Sequence, residues 1–328
     1  MASLRETRDR INSVRSTLKI TSAMKLVASA KLRKAQKAIE SLRPYERTLA
    51  EILAAVGPVR SGVPNARHPS SLSAVAENGF GATNPAAAEP SLMGNTATVS
   101  TGPTAPPTHT APVPAATAIV AIASNSSLCG GFNANVVKKA LETVRGCEGE
   151  VELYPVGRKM ADGLRRAGYG WQGDWNELIA HPAYEQSAAL ARSLSERFLA
   201  GEIARVVLVY TRFKSASSQE PVAEEWLPFA GDEIPGQARD DSYDDVKYIL
   251  EPDAEALVAQ LLPQVMMLKF HAAILDSAAA EQAARTIAMQ TATDNAEDLL
   301  GELTLEYNKG RQQKITAEIL DLLGGAAQ

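Results

Sequence analysis

The stretch that decides the fold is residues 254–323, AEALVAQLLPQVMMLKFHAAILDSAAAEQAARTIAMQTATDNAEDLLGELTLEYNKGRQQKITAEILDLL. Apolar, small or uncharged residues recur along it at spacings of three and four, which is typical of a helix face that packs on a second helix. This C-terminal seam consists of Val258, Leu261, Val265, Leu268, Ala272, Leu275, Ala279, Gln282, Thr286, Met289, Thr293, Ala296, Leu300 and Leu303. Sixty such residues extend about 90 Å at 1.5 Å per residue, so the helix needs a partner along its length. Pro263 predicts either a kink in it or its true start.

A second long helix is predicted at the other end of the chain, over about residues 3–56. Its seam keeps the same spacing for about five heptads, which favours a coiled coil over a globular surface helix. The N-terminal seam consists of Leu4, Thr7, Ile11, Val14, Leu18, Thr21, Lys25, Ala28, Leu32, Ala35, Ile39 and Leu42. Pro44 is its only helix breaker, and Gly57 and Pro58 mark its end. The small and polar members of the seam predict close approach of the helices and a partly hydrated seam.

The two ends of the chain carry opposite charge. Residues 1–43 hold eleven Lys and Arg against three Asp and Glu, whereas acidic residues predominate over 251–328. Two helices that pair with each other would show this asymmetry, and so would two unrelated solvated faces. A basic N-terminus can also bind nucleic acid. Here the interleaved aromatic residues are missing and the net charge is −5, so we expect no nucleic-acid partner.

Residues 117–252 predict a central α/β domain. Short apolar runs indicate buried strands over 117–123, 150–156, 203–213 and 220–229, and amphipathic patterns indicate helices over 132–145, 157–167 and 183–200. Strands that alternate with helices indicate a mostly parallel, three-layer, Rossmann-like domain. The predicted fold class is therefore α/β plus a long coiled coil. Its coiled-coil helices occupy residues 1–56 and 253–328.

Two segments have the composition of irregular chain. Residues 57–116 are dominated by Pro, Ala, Thr, Ser, Gly and Asn, and we predict a disordered insertion because such a segment buries too little apolar surface to offset its ordering entropy. Residues 231–245 are acidic and predict a loop. No uninterrupted run of about 18 apolar residues occurs, which predicts that no segment spans a membrane. The first residues resemble neither a signal peptide nor a transit peptide.

No catalytic or metal-binding constellation emerges from the sequence. Gly130 and Gly131 precede a predicted helix and could cradle a phosphate, but they match no phosphate-binding motif, so a tight strand-to-helix turn is the simpler interpretation. Cys129 and Cys147 form no CxxC pair, and a structural thiol is favoured for Cys129. The four histidines are scattered. We therefore expect no cofactor and no enzyme activity of the chain itself.

Three segments together resemble the gamma subunits of bacterial F-type ATP synthases. They are ITSAMKLVASAKLRKAQ at 20–36, SNSSLCGGFNANV at 124–136, and the region from AAEQAARTIAMQTATDNAEDL at 279–299 to the ending LTLEYNKGRQQKITAEILDLLGGA at 303–326. The last is the most specific, because it is long and ordered. Ser126 and Ser127 depart from the family, many of whose members have charged residues or Gly there.

The resemblance implies an antiparallel coiled coil that turns inside a ring of alpha and beta subunits. It implies that the α/β domain lies beside the foot of this shaft, near the epsilon subunit and the membrane c-ring, on the cytoplasmic face of the bacterial inner membrane. By motif matching, Met24 and Lys25 would contact an acidic loop of a beta subunit, and Arg311, Gln312 and Thr316 would hydrogen-bond to the ring. The residues alone leave an alternative open: a coiled-coil adaptor with a nucleotide- or phosphate-binding α/β domain.

Overall fold

The computed structural model describes residues 4–55, 116–228 and 254–325. The predicted insertion at 57–116, apart from Ala116, and the predicted loop at 231–245 lie outside the described residues. In chain order the elements are α1 (Leu4–Ala55), β1 (Ala116–Ile122), α2 (Phe132–Gly146), β2 (Val151–Val156), α3 (Arg158–Arg166), α4 (Asn176–Ala180), α5 (Tyr184–Leu199), β3 (Ile203–Phe213), β4 (Gln219–Leu227) and α6 (Ala254–Gly325). Two long helices thus enclose one α/β domain in sequence, as predicted.

Helices α1 and α6 run antiparallel along most of the length of α1. Near the start of α1, the side chain of Leu4 lies against Gly310 of α6, where an added Cβ would be 3.1 Å from Leu4 Cδ2. Further along, Thr21 and Thr293 are joined by a hydrogen bond of 3.0 Å. The end of α1 packs against the first half of α6 in an apolar cluster that includes Leu49, Leu53, Val265 and Leu268. The implied antiparallel coiled coil is therefore confirmed.

Both predicted seams face the partner helix. Every residue of the N-terminal seam and of the C-terminal seam is buried or half-buried. In the middle of the contact, Leu32 and Ile39 of α1 pack against Ala279 and Ala283 of α6, both of which are fully buried. Alanine at these positions lets the two backbones approach closely, which is the arrangement that the small seam residues predict.

The α/β domain is built on a four-stranded sheet with the order β2-β1-β3-β4. Strand β1 pairs in parallel with both β2 and β3, and β4 adds to β3 in the antiparallel direction. All seven residues of β1 are buried, because helices cover both faces of the sheet. The prediction of a mostly parallel, three-layer domain is confirmed.

Helix α6 belongs to the shaft and to the α/β domain at once. Helices α2 and α3 cover one face of the sheet, and α4, α5 and the first half of α6 cover the other. On that second face Phe270 and Ile274 of α6 are fully buried against the strands. The indole Nε1 of Trp226 donates a 3.0 Å hydrogen bond to the carbonyl of Met266, which joins β4 to α6 directly.

Three features of the helices go beyond the predictions from the sequence. The short helix α4 was not predicted, and α6 continues through Pro263, which is therefore not its start. Helix α6 also contains an 18-residue window with a mean hydropathy of 1.4, long and apolar enough by composition to cross a membrane. Of this window, 39% is buried inside the protein.

Candidate functional site

Helix α6 continues past the beginning of α1 as a single exposed helix. All residues from 311 to 320 are exposed, and the predicted contact residues Arg311, Gln312 and Thr316 lie in this tip. The Thr316 hydroxyl donates a 3.0 Å hydrogen bond to the Gln312 carbonyl within the helix. Large apolar side chains are exposed beside them, namely Ile315, Ile319, Leu320 and Leu322. An apolar single helix of this kind is expected to lie against another protein.

Met24 and Lys25 lie at a different level of the shaft. Both are half-buried, Lys25 in the coiled-coil seam of α1 and Met24 next to it, about one turn from Thr21, which contacts Thr293. From Thr293 to Arg311 the helix rises about 27 Å at 1.5 Å per residue. The structure therefore places the five predicted contact residues at two separate levels and does not bring them together in one site.

Exposed apolar and basic side chains surround Met24 and Lys25. Ile20, Leu26 and Val27 are each more than half exposed. Lys19 and Lys31 flank the same turns and are exposed. This surface suits a partner that is both apolar and acidic, since it offers area for burial together with positive charge.

The loop after β1 turns sharply, and α6 packs against it. It carries Gly130 with a φ of +58°, a left-handed conformation that suits glycine. The loop lies at the carboxyl end of β1 between β2 and β3, where the strand order reverses and where open α/β sheets bind their ligands. Here Ala280 of α6 packs on Cys129 and Phe132, and a Cβ at Gly130 would lie 3.8 Å from Ala288 of α6. Helix α6 therefore packs against the loop at this position.

Cys129 has the burial expected of a structural thiol. It is buried, and the side-chain amide of Asn133 donates to its Sγ at 3.1 Å. Among residues 4–55, 116–228 and 254–325, no group of three or more His, Cys, Asp or Glu side chains is placed to hold a metal ion.

A buried ion pair that the sequence pattern does not predict lies where this loop meets α6. Glu281 and Arg285 lie one turn apart, their side chains are about nine-tenths buried, and Glu281 Oε1 is 2.7 Å from Arg285 Nη2. The same Nη2 donates a 2.7 Å hydrogen bond to the hydroxyl of Ser126. The i,i+4 spacing of opposite charges was visible in the sequence, but it is equally typical of a solvated helix face. Burial distinguishes this ion pair from a pair on a solvated face. The pair is buried because the loop covers it.

Electrostatic attraction joins α1 and α6 at this level. Burial raises the pKa of Glu281, while Arg285 and then Lys31 of α1 oppose that rise. Nearer the other end of the shaft, burial raises the pKa of Glu46 on α1, and Lys269 of α6 opposes it. Lys31 of α1 and Glu281 of α6 therefore have the charges expected from the basic N-terminal and acidic C-terminal ends of the chain, whereas Glu46 and Lys269 pair in the opposite sense.

A partly buried acid lies between α1, α6 and the sheet. Burial raises the pKa of Asp276 to about 6. The positive charges of Arg43 on α1 and Arg212 on β3 lower it, and the carboxylate of Glu46 raises it further. The junction of shaft and sheet domain therefore contains an acid that titrates near neutral pH.

Comparison with known proteins places these features in a family. A family model described as ATP synthase matches residues 3–328. The chain is 44% identical over 339 residues to an ATP synthase gamma chain of Bacteroides fragilis (strain YCH46), a match that covers 99% of each chain. It is 42% identical over 330 residues to an ATP synthase gamma chain of Phocaeicola vulgatus, again covering 99% of each.

A solved structure shows the same fold. The chain is similar, with a TM-score of 0.56 and 16% sequence identity, to a chain in the rotor of the Euglena gracilis mitochondrial ATP synthase. The match covers 95% of this chain and 98% of that one. At this identity the likeness concerns the fold alone, and it covers the coiled coil as well as the α/β domain.

Proposed function

This chain belongs to the ATP synthase gamma family, and we propose that its paired helices form the rotor shaft that couples ion flow through the membrane sector to ATP synthesis or hydrolysis in a ring of alpha and beta subunits. One observation carries the mechanical part of this proposal. Helix α6 has 72 residues, about 108 Å at 1.5 Å per residue, and α1 braces it until only the tip stands alone. A braced rod can transmit torque, whereas one isolated helix bends. The chain needs no catalytic group for this role.

The partners follow from the exposed surfaces. The tip of α6, residues 311–320, would turn inside the alpha/beta ring, and the α/β domain at the other end of the shaft would face the epsilon subunit and the c-ring. The chain would thus be peripheral to the membrane, on the cytoplasmic face of the bacterial inner membrane, and held there by its complex.

Two levels of contact with the ring are proposed. Lys25 would offer a positive charge, and Met24 an adaptable apolar side chain, to an acidic loop of a beta subunit. At the tip, Arg311, Gln312 and Thr316 would hydrogen-bond to the surrounding ring. Their exposure in the isolated chain supports this role, because exposed polar groups are available to a partner.

The domain boundaries remain the ones proposed from composition: 1–56, 57–116, 117–252 and 253–328. We propose that residues 57–116 form a tolerated insertion beside the foot of the shaft. Deletion of residues 60–114 should leave ring assembly intact, and loss of assembly would contradict this role.

Co-purification tests the function as a whole. The tagged chain should isolate alpha- and beta-like subunits from its native source, with ATPase activity in that assembly and none in the chain alone. Saturable nucleotide binding by the isolated chain, abolished in Gly130→Val, would instead support the ligand-binding adaptor.

A further inference from the structure

Residues 124–126, which we call the hub segment, connect helices from both faces of the sheet. On one face, the carbonyl of Ser124 accepts from the Lys159 amide of α3 at 3.0 Å, and the side chain of Asn133 in α2 accepts from the Ser124 amide at 3.1 Å. Asn125 accepts from the backbone amide of Arg158 at 2.9 Å. These contacts fix the hub segment to the layer formed by α2 and α3.

The same three residues reach the opposite face. The side-chain amide of Asn125 donates a 2.6 Å hydrogen bond to the carbonyl of Asn176 in α4. The hydroxyl of Ser126 accepts from Arg285 of α6 at 2.7 Å. Arg285 is held in turn by Glu281, and both side chains are about nine-tenths buried. A buried ion pair keeps its geometry, because breaking it would leave an unpaired charge inside the protein.

We infer that Arg285 is a positioning residue that locks the hub segment to the shaft, so that the layer of α2 and α3 turns together with α6. Helix α3 and most of α2 pack on the sheet face away from α6, and the apolar core on that face contains no residue of α6. Rotation of the shaft therefore reaches this layer through the sheet, through the contact of Ala280 with Phe132 at the start of α2, and through the hub segment. The inference rests on the proposed rotor function, and it assigns to Ser126 and Arg285 a role in transmitting torque within the chain.

The buried thiol of this loop provides a direct readout. Cys129 belongs to the loop that follows the hub segment and is 1% exposed, so a thiol reagent reaches it only when the loop opens. Cys147 is half-buried and would react as well, so the experiment uses a Cys147→Ser background. Ser126→Ala removes the acceptor of the Arg285 hydrogen bond and leaves the Glu281–Arg285 pair in place. Ser127→Ala is the matched control, since it makes the same change at the neighbouring serine, which is exposed as Ser126 is.

The labelling rate of Cys129 in the purified full chain should rise about tenfold in Ser126→Ala, the change expected from losing one hydrogen bond to a charged group. It should stay near the parent rate in Ser127→Ala and in Ser126→Thr, which retains a hydroxyl. Equal rates in Ser126→Ala and Ser127→Ala would overturn the lock. The lock would also be contradicted if Ser126→Ala lowered the thermal stability of the chain enough to explain the faster labelling, because Cys129 would then be exposed by global unfolding.

The mechanical role is measured in the assembled complex. Ser126→Ala should lower the number of ions pumped per ATP hydrolysed, while Ser127→Ala leaves it unchanged. Faster labelling without any change in this ratio would overturn the torque role. Labelling needs no ring, so its outcome is independent of the co-purification that tests the rotor function itself.

Discussion

Thr21 and Thr293, 272 positions apart in the sequence, meet through their hydroxyl oxygens at 3.0 Å inside the coiled coil. Both residues are buried. Each hydroxyl also lies within hydrogen-bonding distance of a carbonyl of its own helix, that of Leu18 at 3.1 Å and that of Met289 at 2.8 Å. The seam is thus polar at this level, but its hydroxyls have hydrogen-bond partners. The two threonines fix the register of α1 against α6.

Replacing one threonine of this pair should cost more than replacing both. Thr293→Val keeps the β-branched shape and removes one partner of Thr21, for a loss of about 1 kcal/mol in the free energy of unfolding. The double variant Thr21→Val, Thr293→Val removes both polar groups and should recover part of that loss. Denaturant unfolding of the four chains completes a double-mutant cycle.

Thr304→Val on the exposed face of α6 is the control for this cycle, and we expect a change within about 0.5 kcal/mol. If the loss in the free energy of unfolding of the double variant equals the sum of the losses of the two single variants, the hydroxyls act independently.

The seams could be read from the sequence because helical spacing alone determines which side of a helix is apolar. The spacing predicts Thr21 and Thr293 as members of the two seams. The direction in which the two helices pair followed only from the family resemblance, since antiparallel and parallel pairs have the same spacing. Pro263 is exposed, so the hydrogen bond that it removes leaves a carbonyl facing water, and the helix continues through it.

The junction between shaft and sheet domain could not be predicted in the same way. Ser126 and Arg285 are 159 residues apart, and nothing in the local pattern of either indicates the other. Their contact depends on the position of α6 over the carboxyl edge of the sheet, which is a property of the whole fold. Helix α4 has five residues, too few for a helical period to show.

The alanines at the centre of the coiled coil should not tolerate larger side chains. Ala279 is fully buried opposite Leu32 and Ile39. Ala279→Leu inserts three further carbons where the helices approach closely, and should destabilise the chain by about 1–3 kcal/mol. Ala30→Leu makes the same change on the exposed side of α1 and should be close to neutral. Equal unfolding midpoints for the two variants would contradict the close approach.

Asp276 should make stability depend on pH. Burial raises its pKa in the folded chain to about 6, from an ordinary value of 3.8. The unfolded chain therefore releases this proton more readily, and above pH 6 the buried charge lowers stability. As the pH falls from about 7 towards 4, the carboxyl becomes protonated in the folded chain and the penalty disappears.

Asp276→Asn removes the penalty at every pH. At pH 7.5 the variant should be more stable than the parent chain by up to about 3 kcal/mol, and this advantage should shrink at pH 5. The free energy of unfolding of both chains at the two pH values measures the effect. Asp298→Asn, which changes an exposed carboxylate of the same helix, is the control. An advantage of Asp276→Asn that is the same at both pH values would show that the carboxyl does not titrate in this range.

Arg311 should matter for coupling and not for folding. Its side chain is exposed just beyond Gly310, where α6 leaves the cover of α1, so Arg311→Ala should change the free energy of unfolding by less than about 0.5 kcal/mol. In the reconstituted complex the same variant should lower the rate of ion-driven ATP synthesis, because the ring loses a charged hydrogen-bond donor at the tip. Lys309→Ala removes an exposed positive charge two residues earlier, on a different side of the helix, and should leave that rate nearly unchanged. A synthesis rate in Arg311→Ala equal to that of the parent complex would remove Arg311 from the contact between shaft and ring.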